Sequence, residues 1–134
     1  MLQKKNHSDI AVIIPAYNES KNINKLILKI NFYLNKPNIF VVDDSPNFET
    51  AAIIKKKKIR INYFHRKKKS GRGSAVIFAL KKIVKKRNIN TVIEMDADFS
   101  HPPKEIRRNL NFFLKNNLDL LIGSRYLKKS KIIN

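Results

Sequence analysis

At 134 residues the chain is long enough for one domain with a real core and too short for a second. It contains no cysteine, which excludes disulfides, thiolate catalysis and cysteine-ligated zinc and fits a reducing compartment. Its 29 Lys and Arg against 10 Asp and Glu give a formal charge of +19, which favours a polyanionic partner: nucleic acid, an anionic lipid surface or a phosphorylated substrate. An AT-rich genome, which enriches Lys, Asn and Ile together, accounts for such a charge equally well. The opening M-L-Q-K-K-N-H-S-D has no apolar core of signal-peptide length, and the apolar runs elsewhere are strand-sized. No membrane-spanning helix is expected, and the expected location is the cytoplasm.

Ile10 to Ile14 is a continuous apolar run ended by Pro15, as in a parallel strand buried on both faces. After the polar turn P-A-Y-N-E-S, Ser20 is placed to cap a helix in which Ile23, Leu26, Ile27, Ile30 and Leu34 recur at helical spacing up to about Asn35. Ile39 to Val42 is a second strand running into Asp43 and Asp44 and the turn S-P-N. A short helix over Glu49 to Lys56 and a third strand over Ile59 to Phe64, near a sheet edge, follow. The basic loop H-R-K-K-K-S-G-R-G-S-A-V then opens a helix with Val76, Ala79, Leu80, Ile83 and Val84 on its apolar face.

Val92, Ile93 and Met95 read as a short buried strand ending in Asp96 and Asp98, a D-x-D pair. Residues two apart in extended chain point the same way, so both carboxylates can converge beyond the strand. Two readings of this pair stand. A hard divalent ion, Mg²⁺ or Mn²⁺, can sit between them with the phosphates of a substrate, or Asp98 can merely cap the helix begun by Pro102 or Pro103, with Ser100 sharing the work. Ile106, Leu110, Phe113 and Leu114 mark that helix, and Asp119 to Gly123 reads as a fifth strand.

Strands alternating with helices imply α/β architecture, a doubly wound and mostly parallel sheet covered on both sides. Ligands bind such sheets beyond the carboxyl ends of the strands, where strand order reverses. If the first and fourth strands adjoin, Tyr17, Glu19, Asp44, Asp96 and Asp98 share one rim. Two other readings compete. G-R-G-S-A-V is an imperfect dinucleotide fingerprint, with Val76 in place of the third glycine and three lysines before it. The basic loop His65 to Arg72 permits nucleic-acid binding on charge, although no recognised nucleic-acid module is visible. His7, His65 and His101 show no spacing for a zinc site or a triad, which leaves them structural or exposed.

Five motifs in order, V-I-I-P-A-Y-N-E, V-V-D-D-S-P, G-R-G-S-A-V, M-D-A-D-F-S-H-P-P and G-S-R-Y, span nearly the whole chain. In these the chain resembles family 2 glycosyltransferases, most closely the dolichyl- or polyprenyl-phosphate mannosyltransferase group. The resemblance implies a nucleotide-diphospho-sugar transferase fold of GT-A type, with GDP-mannose as favoured donor and a polyprenyl or dolichyl phosphate as acceptor. A UDP-sugar with another acceptor is the alternative. Carried over by position, Pro15, Tyr17, Glu19, Val42 and Asp44 contact the nucleoside, and Asp96, Ala97 and Asp98 the diphosphate and its Mg²⁺ or Mn²⁺. Asp98 and Arg125 take the catalytic roles, Arg125 facing phosphate, while Ser100 stands where some relatives have a glutamine near the metal. The glycine usual after the double aspartate is absent. Relatives also continue well past G-S-R-Y, so residues 1–134 are expected to form a single donor-binding domain lacking the acceptor segment. A separate chain would complete it, and the charge would hold it peripherally on an anionic membrane's inner face.

Overall fold

A computed structural model describes residues 5–57 and 60–128. Four parallel strands, β1 (Ile10–Ala16), β2 (Asn38–Asp43), β3 (Ile61–His65) and β4 (Thr91–Glu94), form one sheet in the order β3-β2-β1-β4. Between them run α1 (Ser20–Tyr33), α2 (Glu49–Lys55) and α3 (Arg72–Ile83). After β4 a 3₁₀ turn over Pro103–Glu105 leads into α4 (Ile106–Lys115). Ile13 of β1 stands between Phe40 of β2 and Glu94 of β4, so β1 is the strand beside which the order reverses.

The unbroken apolar run of β1 follows from its having two covered faces. Ile10, Val12, Ile14 and Ala16 pack with Ile23, Leu26, Ile27 and Ile30 of α1 and with Ile106 and Leu110 of α4. Ala11 and Ile13 turn the other way, with Phe40 and Val42, onto Ala75, Ala79 and Ile83 of α3. Each fully buried Ile, Leu, Val or Phe among these contributes about 1.5–3 kcal/mol. The handedness of crossovers explains the split. β1 to β2 and β2 to β3 step in one direction and put α1 and α2 on one face, whereas the return from β3 to β4 reverses direction and puts α3 on the other.

Several expectations are corrected. Asp119 to Gly123 forms no strand; Leu120 and Ile122 are 73% and 74% exposed in irregular chain. An apolar run becomes a strand only where a neighbour takes up its backbone hydrogen bonds, and none does here. Without that strand β4 is an edge among the described residues, and Val92 is 41% exposed where burial was expected. Ser20 does not cap α1. Glu19 holds the cap position, and the Ser20 hydroxyl donates to Glu49 Oε2 at 3.0 Å. Val84 lies just beyond α3 and is exposed. β3 is an edge strand, as its weaker pattern predicts; the expected start at Ile59 lies outside the described residues.

Candidate active site

The carboxyl ends of β1 and β4 open a cleft of about 260 Å³. Pro15, Tyr17, Glu19, Asp44, Asp96, Ala97 and Asp98 all line it, so seven of the residues singled out in the sequence meet at one place. The turn after β1 is held from below. Asn18 takes φ 57°, a conformation asparagine tolerates better than most residues, and its N–H donates to Ser45 Oγ at 2.8 Å. That bond fastens the Tyr17–Glu19 turn to the loop after β2. Ser45 in turn donates from its N–H and hydroxyl to Asp43 Oδ1, whose other oxygen accepts the Tyr63 hydroxyl at 2.7 Å. Asp43 is thus fully buried and structural. Burial, then the bond to Asp43, pushes the Tyr63 hydroxyl well above its usual pKa.

Asp44 is the acid that reaches the cleft from β2. Arg66 Nε and Nη2 grip its two oxygens at 2.6 Å each, and the Ser70 N–H adds a bond of 3.0 Å. Burial pushes this carboxyl up, but the Arg66 bonds and charge and the Ser70 N–H outweigh it and hold the pKa below its ordinary value.

At the end of β4 the chain turns sharply. Asp98 Oδ1 accepts the Ser100 N–H at 2.9 Å across Phe99, which sits at φ 66°. A bulky residue is rare in that region, and Phe99 packs against the main core. The Ser100 bonds hold the Asp98 carboxyl below its usual value. Asp98 therefore organises the D-x-D turn itself and does not cap α4, which is preceded by Pro102, Pro103 and Glu105. The Asp96 N–H donates to His101 Nδ1 at 3.1 Å, which leaves the imidazole proton of the neutral ring on Nε2, 3.7 Å from Asp96 Oδ2. His7 and His65 likewise bond backbone groups, at Asn35 and Ser45.

The sequence reading missed the cations. Arg72, first residue of α3, places Nε 2.6 Å from Asp96 Oδ1 and Nη1 2.6 Å from Glu94 Oε1. Lys69 stands with Nζ 4.0 Å from the centre of the Tyr17 ring. Both line the cleft. The signal available was the basic loop itself, which joins the carboxyl end of β3 to α3 and so must pass the acidic rim. Two predicted residues are not brought there. The Val42 side chain is buried against α3, and Arg125 is exposed in the irregular segment after α4.

Asp96 and Asp98 are hard oxygen donors. Among the described residues no group of three or more His, Asp or Glu side chains converges on a metal position. Two carboxylates nevertheless fit Mg²⁺ or Mn²⁺, which complete their shells with water and substrate phosphate and do not need a protein cage.

A parallel sheet whose order reverses beside a cleft at the carboxyl ends of its strands defines a doubly wound α/β protein, and the chain is of the GT-A type. The model of Glycosyl transferase family 2 matches residues 11–133, and the chain belongs to that family. It is 36% identical over 130 residues to the Dolichol-phosphate mannosyltransferase of Pyrococcus furiosus, covering 93% of this chain and 35% of that protein. It is 33% identical over 127 residues to the Polyprenol monophosphomannose synthase of Mycolicibacterium smegmatis, covering 92% and 47%. The chain thus spans between a third and a half of these relatives' length. The crystal structure of S. aureus TarS 1–349 shares the fold, with a TM-score of 0.66 at 22% identity over 94% of this chain and 38% of that one. Family 2 transferases commonly use a divalent metal. Among the described residues no helix is long and apolar enough to cross a membrane.

Proposed function

We propose that the chain binds the donor of a glycosyltransferase that moves mannose from GDP-mannose to a polyprenyl phosphate. The observation that carries this reading is the convergence of Tyr17, Asp44, Asp96 and Asp98 on one cleft beside β1. The names of the mannosyltransferase relatives supply the sugar and the acceptor. In the reaction, an acceptor phosphate oxygen bonds to the anomeric carbon as the bond to the diphosphate breaks, and GDP leaves with the electron pair. The acceptor oxygen is already an anion at neutral pH, so no general base is required, in keeping with three histidines spent on backbone bonds. Asp96 and Asp98 would hold Mg²⁺ or Mn²⁺, which supplies Lewis-acid stabilisation of the leaving diphosphate. Asp44 and the Tyr17 turn would receive the nucleoside, and Arg125 would face phosphate. The nucleic-acid reading is weakened, because Arg66 of the basic loop is committed to the buried Asp44.

Titration calorimetry with GDP-mannose, GDP and UDP-glucose, with Mn²⁺ and with chelator, tests the reading. Metal-dependent binding of the guanosine ligands is expected. Preference for UDP-glucose moves the assignment to a UDP-sugar enzyme, and failure to bind any of the three refutes it.

A further inference from the structure

The acids of the cleft are not equally committed to their arginines. Asp44 is buried under Arg66, whose Nη1 is also anchored to the Ser74 hydroxyl at 2.9 Å. Arg72, by contrast, is half exposed and bridges two partly exposed acids, Glu94 at the end of β4 and Asp96 just beyond it. Solvent-exposed pairs of this kind are weak and exchangeable. Yet its Nε occupies Oδ1 of the first carboxylate of the D-x-D pair, one of the oxygens such a pair offers a divalent ion.

We propose that Arg72 is a resident cation at Asp96 that a divalent ion must displace, so that metal and nucleotide diphosphate bind cooperatively. The inference rests on reading Asp96 and Asp98 as the donor's metal and diphosphate site. Metal alone must expel the guanidinium into solvent and then endure its positive charge nearby. When a diphosphate arrives with the metal, the displaced guanidinium has an anion within the same cleft to turn to, because Arg72 already lines it. By linkage the diphosphate tightens metal binding as much as the metal tightens the diphosphate. Gly71, at φ 85°, puts Arg72 on the first turn of α3, so the side chain can swing without unwinding the helix.

The test is a Mn²⁺ titration of the chain, read by the electron-paramagnetic signal of the free ion, with and without GDP, in wild type, Arg72→Met and Arg72→Lys. Arg72→Met should bind Mn²⁺ alone on the order of tenfold more tightly, through loss of a competing charge, and GDP should tighten its Mn²⁺ binding less than in wild type. Arg72→Lys, which keeps the charge without the fork, should fall between them. A folded Arg72→Met protein with unchanged or weaker Mn²⁺ affinity overturns the proposal, as a purely structural arginine would give that sign. If Arg72→Met does not fold, wild type decides: Mn²⁺ binding that GDP leaves unchanged overturns it equally. Equal tightening by GDP in wild type and Arg72→Met removes the role of Arg72 and leaves the donor site standing, whereas absence of any GDP binding removes both.

Discussion

Arg66 clamps Asp44 with two parallel bonds of 2.6 Å across 22 residues of sequence, and the carboxylate beneath it is only 6% exposed. Cutting the clamp leaves a buried charge without its partner. Arg66→Met is therefore expected to cost roughly 3 kcal/mol of stability. Arg66→Lys should cost less, since it keeps a charge but loses the fork. Urea unfolding midpoints of the three proteins check this.

The same pair sets an acid limit. Asp44 has a lowered pKa in the folded chain, so its contribution is full above the ordinary carboxylate value of 3.8 and is lost as pH falls through the lower folded value. Asp98, held down by Ser100, acts in the same direction. Melting temperature should fall steeply below about pH 4, and Arg66→Met should flatten that limb. An unchanged acid limb in the variant would show that Asp44 does not govern it.

Asp98→Asn separates the ligand role from the turn role. Asparagine keeps an oxygen for the Ser100 N–H but loses the charge. Metal-dependent GDP binding should fall roughly tenfold or more, while melting temperature falls only by the small share that the Asp98 charge contributes through its Ser100 bonds. Calorimetry and a thermal melt on the same preparation decide, and a matching loss of stability would mean that the charge serves the turn.

Two neighbouring glycines, Gly71 at the cap of α3 and Gly73 in its first turn, should respond with opposite sign. Gly71 has φ 85°, so Gly71→Ala is strained although a Cβ there meets no atom within 4 Å, and it should cost about 1 kcal/mol. Gly73 lies in α3 with the same open space and no positive φ, so Gly73→Ala should stabilise by roughly 0.5–1 kcal/mol. Thermal unfolding of both variants is sufficient.

Lys67, Lys68 and Lys69 are exposed beside the cleft, where an anionic surface carrying a lipid phosphate could be met. Sedimentation with anionic vesicles should pull the chain down at low salt and release it at high salt, at about 1 kcal/mol per well-placed cation. Replacing the three with glutamine should abolish most of the binding. Binding of nucleic acid with sequence preference, in place of vesicles, would favour the nucleic-acid reading.

The strands of the core and the places where acids leave them were legible in the chain because both are local properties. A strand covered on two faces must be apolar at consecutive positions, as Ile10 to Ile14 are, and the acids that follow β4, Asp96 and Asp98, both line the cleft beyond its end. Pairings between distant segments were not legible. That Arg66 belongs to Asp44 and Arg72 to Asp96 depends on where the crossover through α3 sets the basic loop, and composition reports those cations only as net charge. The edge position of β4, the absence of a strand at Asp119–Gly123, the burial of Val42 and the distance of Arg125 from the cleft were likewise decided in three dimensions. An apolar run is written into residue type, but whether it finds a hydrogen-bonding neighbour, or a side chain finds the cleft, depends on what the rest of the chain places beside it.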